Sequence, residues 1–263
     1  MHHRCMDIVA LAKQMRRFSS WLNGQEQPLL ERHHVSGAME ITIDAASLSP
    51  AASFNSNRIS LCADEAEMSA ARLAAAVRLF EERGVDRCFA WVSPGSGMEQ
   101  LRGWLSALSF TRVPWTRYPT LLHVAEPAAA VAASCEIREV DRDEIAAARE
   151  SLGEDVMDGY LQTAGNDSFH HYMAFEDGRP IAAAVLVEWE AIGYLTYAST
   201  IASARRRGAQ SALIARRVAD ARRFGCRYVI SQTLTMLQES FANLQRAGFR
   251  EVYEQEVYEW VRR

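Results

Sequence analysis

Apolar and polar positions follow two spacings along this chain, and the switches between them mark its elements. Ile214, Val218 and Ala221 recur at i, i+4, i+7, while Arg216, Asp220 and Arg223 fall on another face. This pattern predicts a helix over 209–224, stopped by Gly225. Strand-like runs flank it, Tyr194 to Ile201 before and Arg227 to Leu234 after. A strand–helix–strand unit predicts two parallel neighbouring strands, with a ligand site at their carboxyl ends. Upstream, 136–140 reads as a short strand, 142–152 as a helix with acids in its first turn, and 155–163 as a second short helix. Tyr172 to Phe175 and Pro180 to Val187 read as strands joined through Glu176-Asp177-Gly178-Arg179, a hairpin signal. A short helix over 239–247 ends at Gly248, and 251–261 closes the chain as a strand pair or one long strand.

The first half repeats the later part of this plan more weakly. A helix over 69–83 ends at Gly84, a strand covers 85–92, a helix 98–108, and strand-like residues 111–124 follow Phe110. Gly84 and Phe110 stand in the same order and at similar spacing as Gly225 and Phe249, which predicts an internal duplication. Glu126 to Ser134 is rich in small residues and lacks amphipathic pattern, so it is the expected linker between 1–125 and 135–263.

Composition narrows the class without choosing it. With 263 residues, 49% hydrophobic, the chain has length enough for one large or two small cores. A net charge of -4 speaks against bulk electrostatic binding of nucleic acid, and no interleaved basic and aromatic surface is visible. Five scattered cysteines (Cys5, Cys62, Cys88, Cys135 and Cys226) show no C-x-x-C and read as small apolar residues in a reducing compartment. His2-His3 and His33-His34 are too isolated for a zinc site, so no metal is expected. No apolar run approaches the ~18 residues that span a bilayer, and the start lacks a signal-peptide core. The expectation is a cytoplasmic protein with no membrane or nucleic-acid partner. Trp91, Trp104, Trp115 and Trp260 read as core or interface residues.

The most informative chemistry lies between the strand-like run ending at Ile201 and the helix. Arg205-Arg206-Arg207-Gly208-Ala209-Gln210-Ser211 makes a cationic, glycine-containing helix start. The first N–H groups of a helix have no internal partner and the dipole is positive there, so such a start receives phosphates. No Gly-Lys-Ser/Thr follows, which excludes a P-loop, and G-x-G-x-x-G is absent. The corresponding turn of the first half, Ala63 to Met68, is acidic and would repel a phosphate. One half alone is expected to hold the anion.

This constellation resembles the GNAT superfamily of acyl-CoA-dependent N-acyltransferases, whose pyrophosphate loop runs Arg/Gln-x-x-Gly-x-Gly/Ala. Arg205, Gly208 and Gln210 occupy that pattern, with Gln210 in place of the usual small residue. Asn243 to Phe249 is similar to the family's later helix and its closing Gly-Phe. The resemblance implies an α/β fold of two GNAT-like mixed-sheet domains in tandem, each a twisted sheet flanked by helices, the first copy degenerate. It implies acetyl-CoA as co-substrate, an amine of a small molecule or peptide as acceptor, and direct attack in a ternary complex. A homodimer is one expected assembly.

The same resemblance places the cofactor's pyrophosphate on Arg205, Arg206, Arg207, Gly208, Ala209, Gln210 and Ser211. It places the pantetheine arm along the backbone of Ser199, Thr200 and Ile201, with Asn243 as a further contact. A backbone N–H of that strand is the expected oxyanion donor. For proton transfer, Tyr197, Glu188 and Ser231 are the leading candidates, with Glu190, Asp158, Tyr160 and Thr233 beside them. The position that often carries an acidic tyrosine falls on Leu244, which has no proton to give. A non-catalytic acyl-CoA-binding regulator is the alternative, and an aminoacyl-tRNA-using Fem-type transferase fits less well.

Overall fold

The computed structural model describes residues 7–26, 30–36, 39–45, 54, 56–62, 68–114, 117–124 and 135–262. The expected linker 126–134, most of the acidic turn (63–67), His2, His3, Cys5 and Trp115 lie outside the described residues. The chain divides into two compact units, one of Met1–Tyr118 with Tyr253–Arg263, the other of Pro119–Val252.

The first unit contains α1 (Ile8–Glu26), β1 (Glu31–Ser36), β2 (Met39–Ile43), β3 (Arg58–Cys62), α2 (Ala70–Glu82), β4 (Arg87–Ser93), α3 (Met98–Ala107) and β5 (Thr111–Arg112). β1, β2 and β3 are antiparallel neighbours, and β3 runs parallel to β4 across the α2 crossover. Period-2 alternation builds its core: Met39, Ile41, Ile43, Ile59, Leu61, Cys88, Ala90 and Val92 meet Leu73, Val77 and Phe80 of α2 and Leu101 and Leu105 of α3. Ser69 caps α2, its side chain accepting from the Arg72 N–H. Along α1, Leu11, Met15, Phe18 and Leu22 make a buried stripe at helical spacing. Arg32 of β1 donates to Glu40 of β2 at 2.6 Å and to the Ser20 carbonyl of α1.

The second unit contains β6 (Tyr118–His123), β7 (Glu136–Glu139), α4 (Arg142–Ala147), α5 (Arg149–Leu152), α6 (Glu154–Thr163), β8 (Phe169–Glu176), β9 (Arg179–Trp189), β10 (Ile192–Thr200), a single 3-10 turn (Ala202–Ala204), α7 (Ala209–Arg223), β11 (Tyr228–Gln232) and α8 (Gln238–Arg246). Its strands lie in the order β6-β11-β10-β9-β8-β7, with β10 and β11 parallel and the rest antiparallel. The hairpin signal folds as read: Asp177 and Gly178 both take positive φ, as a type I′ turn requires. The last strand, β12 (Phe249–Val261), is a single long strand whose later part pairs with β4 of the first unit.

Both units are mixed α/β sheets flanked by helices, as expected. Their shared core is the parallel strand–helix–strand, β3-α2-β4 in one and β10-α7-β11 in the other, each followed by a further helix. The helix expected over 142–152 is instead two, broken at Ala148, and the strand expected over 111–124 is β5 and β6 with a gap between. α7 lies hard against β10. A Cβ built on Gly193 would stand 2.7 Å from the Ala221 Cβ, so only glycine permits that approach.

Candidate functional site

The cationic turn folds as a helix start with no side-chain cap. Gly208 is the N-cap of α7 in the left-handed region (φ 88°), and no side chain satisfies the first helical N–H groups. Nothing within 4 Å would meet a Cβ on Gly208, so glycine serves the backbone conformation there and the space above stays open. Arg206 also has positive φ (64°), a strain typical of functional turns.

The three arginines divide the work. Arg207 is ion-paired with Glu176 at the end of β8. Arg205 Nε lies 3.4 Å from the Thr200 carbonyl. Arg206 is exposed, and its side chain has no hydrogen bond or ion pair among the described residues. Gln210, where a smaller residue is usual, ties the turn to the strand: its Nε2 donates to the Ser199 carbonyl at 3.0 Å and to Thr200 Oγ1 at 2.8 Å. The side chain of Gln210 is thereby a brace, while its backbone N–H belongs to the uncapped start.

β10 supplies the second part. Its parallel pairing with β11 ends at Leu195↔Ser231, yet it runs on along β9 to Thr200↔Ala182. Between Thr196 and Ser199 it carries a bulge, where Tyr197 adopts φ 48° and both Tyr197 and Ala198 are exposed. From Thr196 onward the edge facing β11 has left its ladder. Backbone groups at such an edge are available to an extended ligand.

Beneath the bulge sits a residue that the sequence reading missed. Arg217 is 2% exposed. Its Nη1 donates to the carbonyls of Thr196 (3.2 Å) and Val185 (3.0 Å), and its Nε to the Leu213 carbonyl (3.1 Å). Burial lowers its pKa to about 10, leaving it charged at neutral pH. A signal was present: Arg217 stands four residues after Leu213 and among Ile214, Val218 and Ala221, an arginine inside an apolar stripe. Tyr160 of α6, also buried, donates its hydroxyl to the Tyr197 carbonyl, and burial pushes its pKa well up. Its ring lies 5.8 Å from that of His171 and 6.0 Å from that of Tyr197.

The candidate proton-transfer residues are not gathered in one place. Tyr197 stands at the bulge, 39% exposed. Ser231 is at the last paired rung, buried, its hydroxyl donating to the Leu195 carbonyl at 2.9 Å. Glu188 pairs in register with Gly193, about 13 Å along the strand from Tyr197 at ~3.3 Å per residue. It faces His170 Nε2 at 3.7 Å instead. Asp158 is taken by Arg149 at 2.8 Å, and Thr233 Oγ1 lies 3.4 Å from Ser240 Oγ. Asn243 lies in the body of α8, its Oδ1 accepting from Arg246 at 2.6 Å, and Leu244 is packed into the core. A cavity of about 250 Å³ lies at the other end of the sheet, lined by Glu139, Asp141, Arg142, Asp167 and His170 among others. It is remote from the turn, because β8 reaches Arg207 with its far end, Glu176. Among the described residues no cluster of His, Cys, Asp or Glu has metal-site geometry, and no helix is long and apolar enough to cross a membrane.

The site is thus a mixed sheet whose parallel pair parts beside an uncapped, glycine-led helix. Residues 136–249 match the Acetyltransferase (GNAT) family. No curated protein matches the chain. Among solved structures, a GCN5-related N-acetyltransferase from Kribbella flavida is similar at TM-score 0.65 and 16% identity, covering 95% of this chain and 95% of its own. A tandem GNAT protein from the clavulanic acid biosynthesis pathway is similar at TM-score 0.65 and 12% identity, covering 85% of this chain and 78% of its own. An acetyltransferase of the GNAT family from Colwellia psychrerythraea reaches TM-score 0.62 at 10% identity, with 98% of each chain covered. The fold is thus that of GNAT proteins, the tandem form included. Acetyl-CoA is the acyl donor of the family, and amines are its acceptors.

Proposed function

We propose that the second unit transfers an acetyl group from acetyl-CoA to an amine of a small molecule or peptide. The observation that carries this reading is the pairing of the left-handed, uncapped Gly208 start of α7 with a neighbouring strand that leaves its partner at Leu195. The residues fit the donor. No side-chain cap engages the helix start, which leaves the N–H groups of Ala209, Gln210 and Ser211 to the phosphates, and Arg205 and Arg206 add charge beside them. Arg207 joins them when the phosphates compete with Glu176 for its guanidinium. The backbone of Ser199, Thr200 and Ile201 takes the amide groups of the pantetheine arm.

The amine nitrogen attacks the thioester carbon, whose oxygen becomes an oxyanion. Collapse expels the CoA thiolate, which takes up the proton lost by nitrogen. Tyr197 is the candidate side chain at the bulge. Ser231, whose hydroxyl donates to the Leu195 carbonyl, relays a proton through water. Positioning supplies much of the rate in such a reaction.

Acetyl-CoA should raise the melting temperature by binding the folded state, as a ligand must. Gly208→Glu, which places a strained side chain and a negative charge at the helix start, should abolish that rise. An equal rise in the variant refutes the site. The burial of Leu244, 5% exposed where an acid often stands, favours a second reading as a non-catalytic acyl-CoA-binding regulator. Thiol release from acetyl-CoA with a broad amine panel separates the two, since binding without turnover supports the regulator.

A further inference from the structure

Among the described residues Arg217 is the largest side chain of those almost fully buried, and none of their carboxylates pairs with it. The nearest acid on its own helix, Asp220, is engaged by Arg216 at 2.7 Å, by Arg223 at 3.2 Å and by the Tyr172 hydroxyl at 2.9 Å. An apolar side chain of similar length would fill the space without desolvating a charge. The charge therefore needs a reason other than packing, and its donors lead to one. They end on the two strands of the bulge, at Val185 of β9 and Thr196 of β10. On the next peptide, Tyr160 donates to the Tyr197 carbonyl.

We propose that Arg217 and Tyr160 are positioning residues for acyl transfer, holding the carbonyls of two consecutive bulge peptides so that the N–H groups of Tyr197 and Ala198 are aimed at the thioester carbonyl. This rests on the acetyl-CoA reading above. A trans peptide is planar with its C=O and N–H opposed, so fixing the oxygen fixes the N–H. An oxygen that accepts from a guanidinium polarises its peptide and strengthens that N–H as a donor. Tyr197 needs such holding, because a non-glycine residue at φ 48° is strained. The arrangement also joins two ends of one ligand. The helix whose first N–H groups meet the pyrophosphate carries, two turns on, the arginine that sets the bulge.

Isotope-edited infrared spectroscopy of the full chain saturated with acetyl-CoA, ¹³C-labelled at the acetyl carbonyl, tests this without knowledge of the acceptor. In the unaltered protein the bound carbonyl band should lie below that of free acetyl-CoA. Arg217→Met, which keeps the volume, and Tyr160→Phe, which removes one hydroxyl, should each lose most of that displacement, while Arg217→Lys keeps part of it. The melting-temperature rise confirms occupancy in each sample. A carbonyl band unchanged in both Arg217→Met and Tyr160→Phe, with only lowered stability, makes these residues structural and overturns the proposal. If Arg217→Met does not fold, Tyr160→Phe decides alone. Failure of the unaltered protein to bind acetyl-CoA instead overturns the donor assignment itself, and this inference with it.

Discussion

Burial at His171 sets an acid limit on the second unit. The ring is 3% exposed, its Nε2 lies 3.1 Å from Thr163 Oγ1, and desolvation foremost lowers its pKa to about 4. A folded-state pKa below the unfolded value of about 6.5 means that the unfolded chain binds the proton first. The contribution is fully present above pH 6.5 and is lost as pH falls through 4, on the order of 3 kcal/mol for a shift of this size. Urea titrations at pH 7 and pH 4.5 should show that loss, and His171→Asn should flatten the dependence while lowering stability at pH 7. Arg217 and His171 both escaped the sequence reading for one reason. A polar side chain sealed inside a core looks, in sequence, like a polar side chain on a surface. The turn residues were legible because glycine and repeated arginine at a helix start have few other uses. The distance of Glu188 from the turn was not legible, since which end of a hairpin strand lies near a loop depends on register that sequence does not display.

α7 carries both the helix start and Arg217, so its seat on β10 sets the geometry of the site. Gly193→Val should force the helix away from the strand, since even a Cβ meets Ala221 at 2.7 Å and Cys226 Sγ at 3.3 Å. Overpacking of this kind costs about 1–3 kcal/mol, measurable by chemical denaturation, and should weaken acetyl-CoA binding although Gly193 touches no ligand. A second tie closes the first unit. Glu256 of β12 receives Arg102 of α3 at 2.5 and 3.1 Å and the Tyr258 hydroxyl at 2.6 Å. Burial raises the carboxyl's pKa, but the Arg102 and Tyr258 hydrogen bonds outweigh it and hold the pKa below its ordinary value. Stability from this group is therefore present above its unfolded pKa near 4.5 and is lost below it. Glu256→Gln should remove that acid-side loss at the expense of about 1–2 kcal/mol at neutral pH.

Helices with apolar positions at helical spacing were read to within a residue or two, as for α2, α3 and α7. β1 was not foreseen, because Glu31-Arg32-His33-His34 shows no apolar alternation and pairs with β2 at the end of the strand order. The break between α4 and α5 at Ala148 leaves no mark in composition either.

The chain as a whole does not divide at one point. The first unit takes its last strand from the carboxyl-terminal stretch, Tyr253–Arg263, after the whole of the second unit has intervened. A local reading of the sequence groups 135–263 together, because strand pairing between distant segments leaves no nearby pattern. Truncation after Val252 should expose the β4 edge and destabilise the first unit, seen as rapid proteolysis within 70–107. The acetyl-CoA-induced rise in melting temperature should survive, since the turn and bulge lie in the other unit. The same topology orders events during translation. Arg87 of β4 meets its ion-pair partner Glu259 across 172 positions of chain. At synthesis rates of about 5–20 residues per second, β4 waits roughly ten to thirty seconds with one side unclaimed. During that interval the second unit is being synthesised, and the nascent β4 edge is a target for chaperones or for a wrong strand.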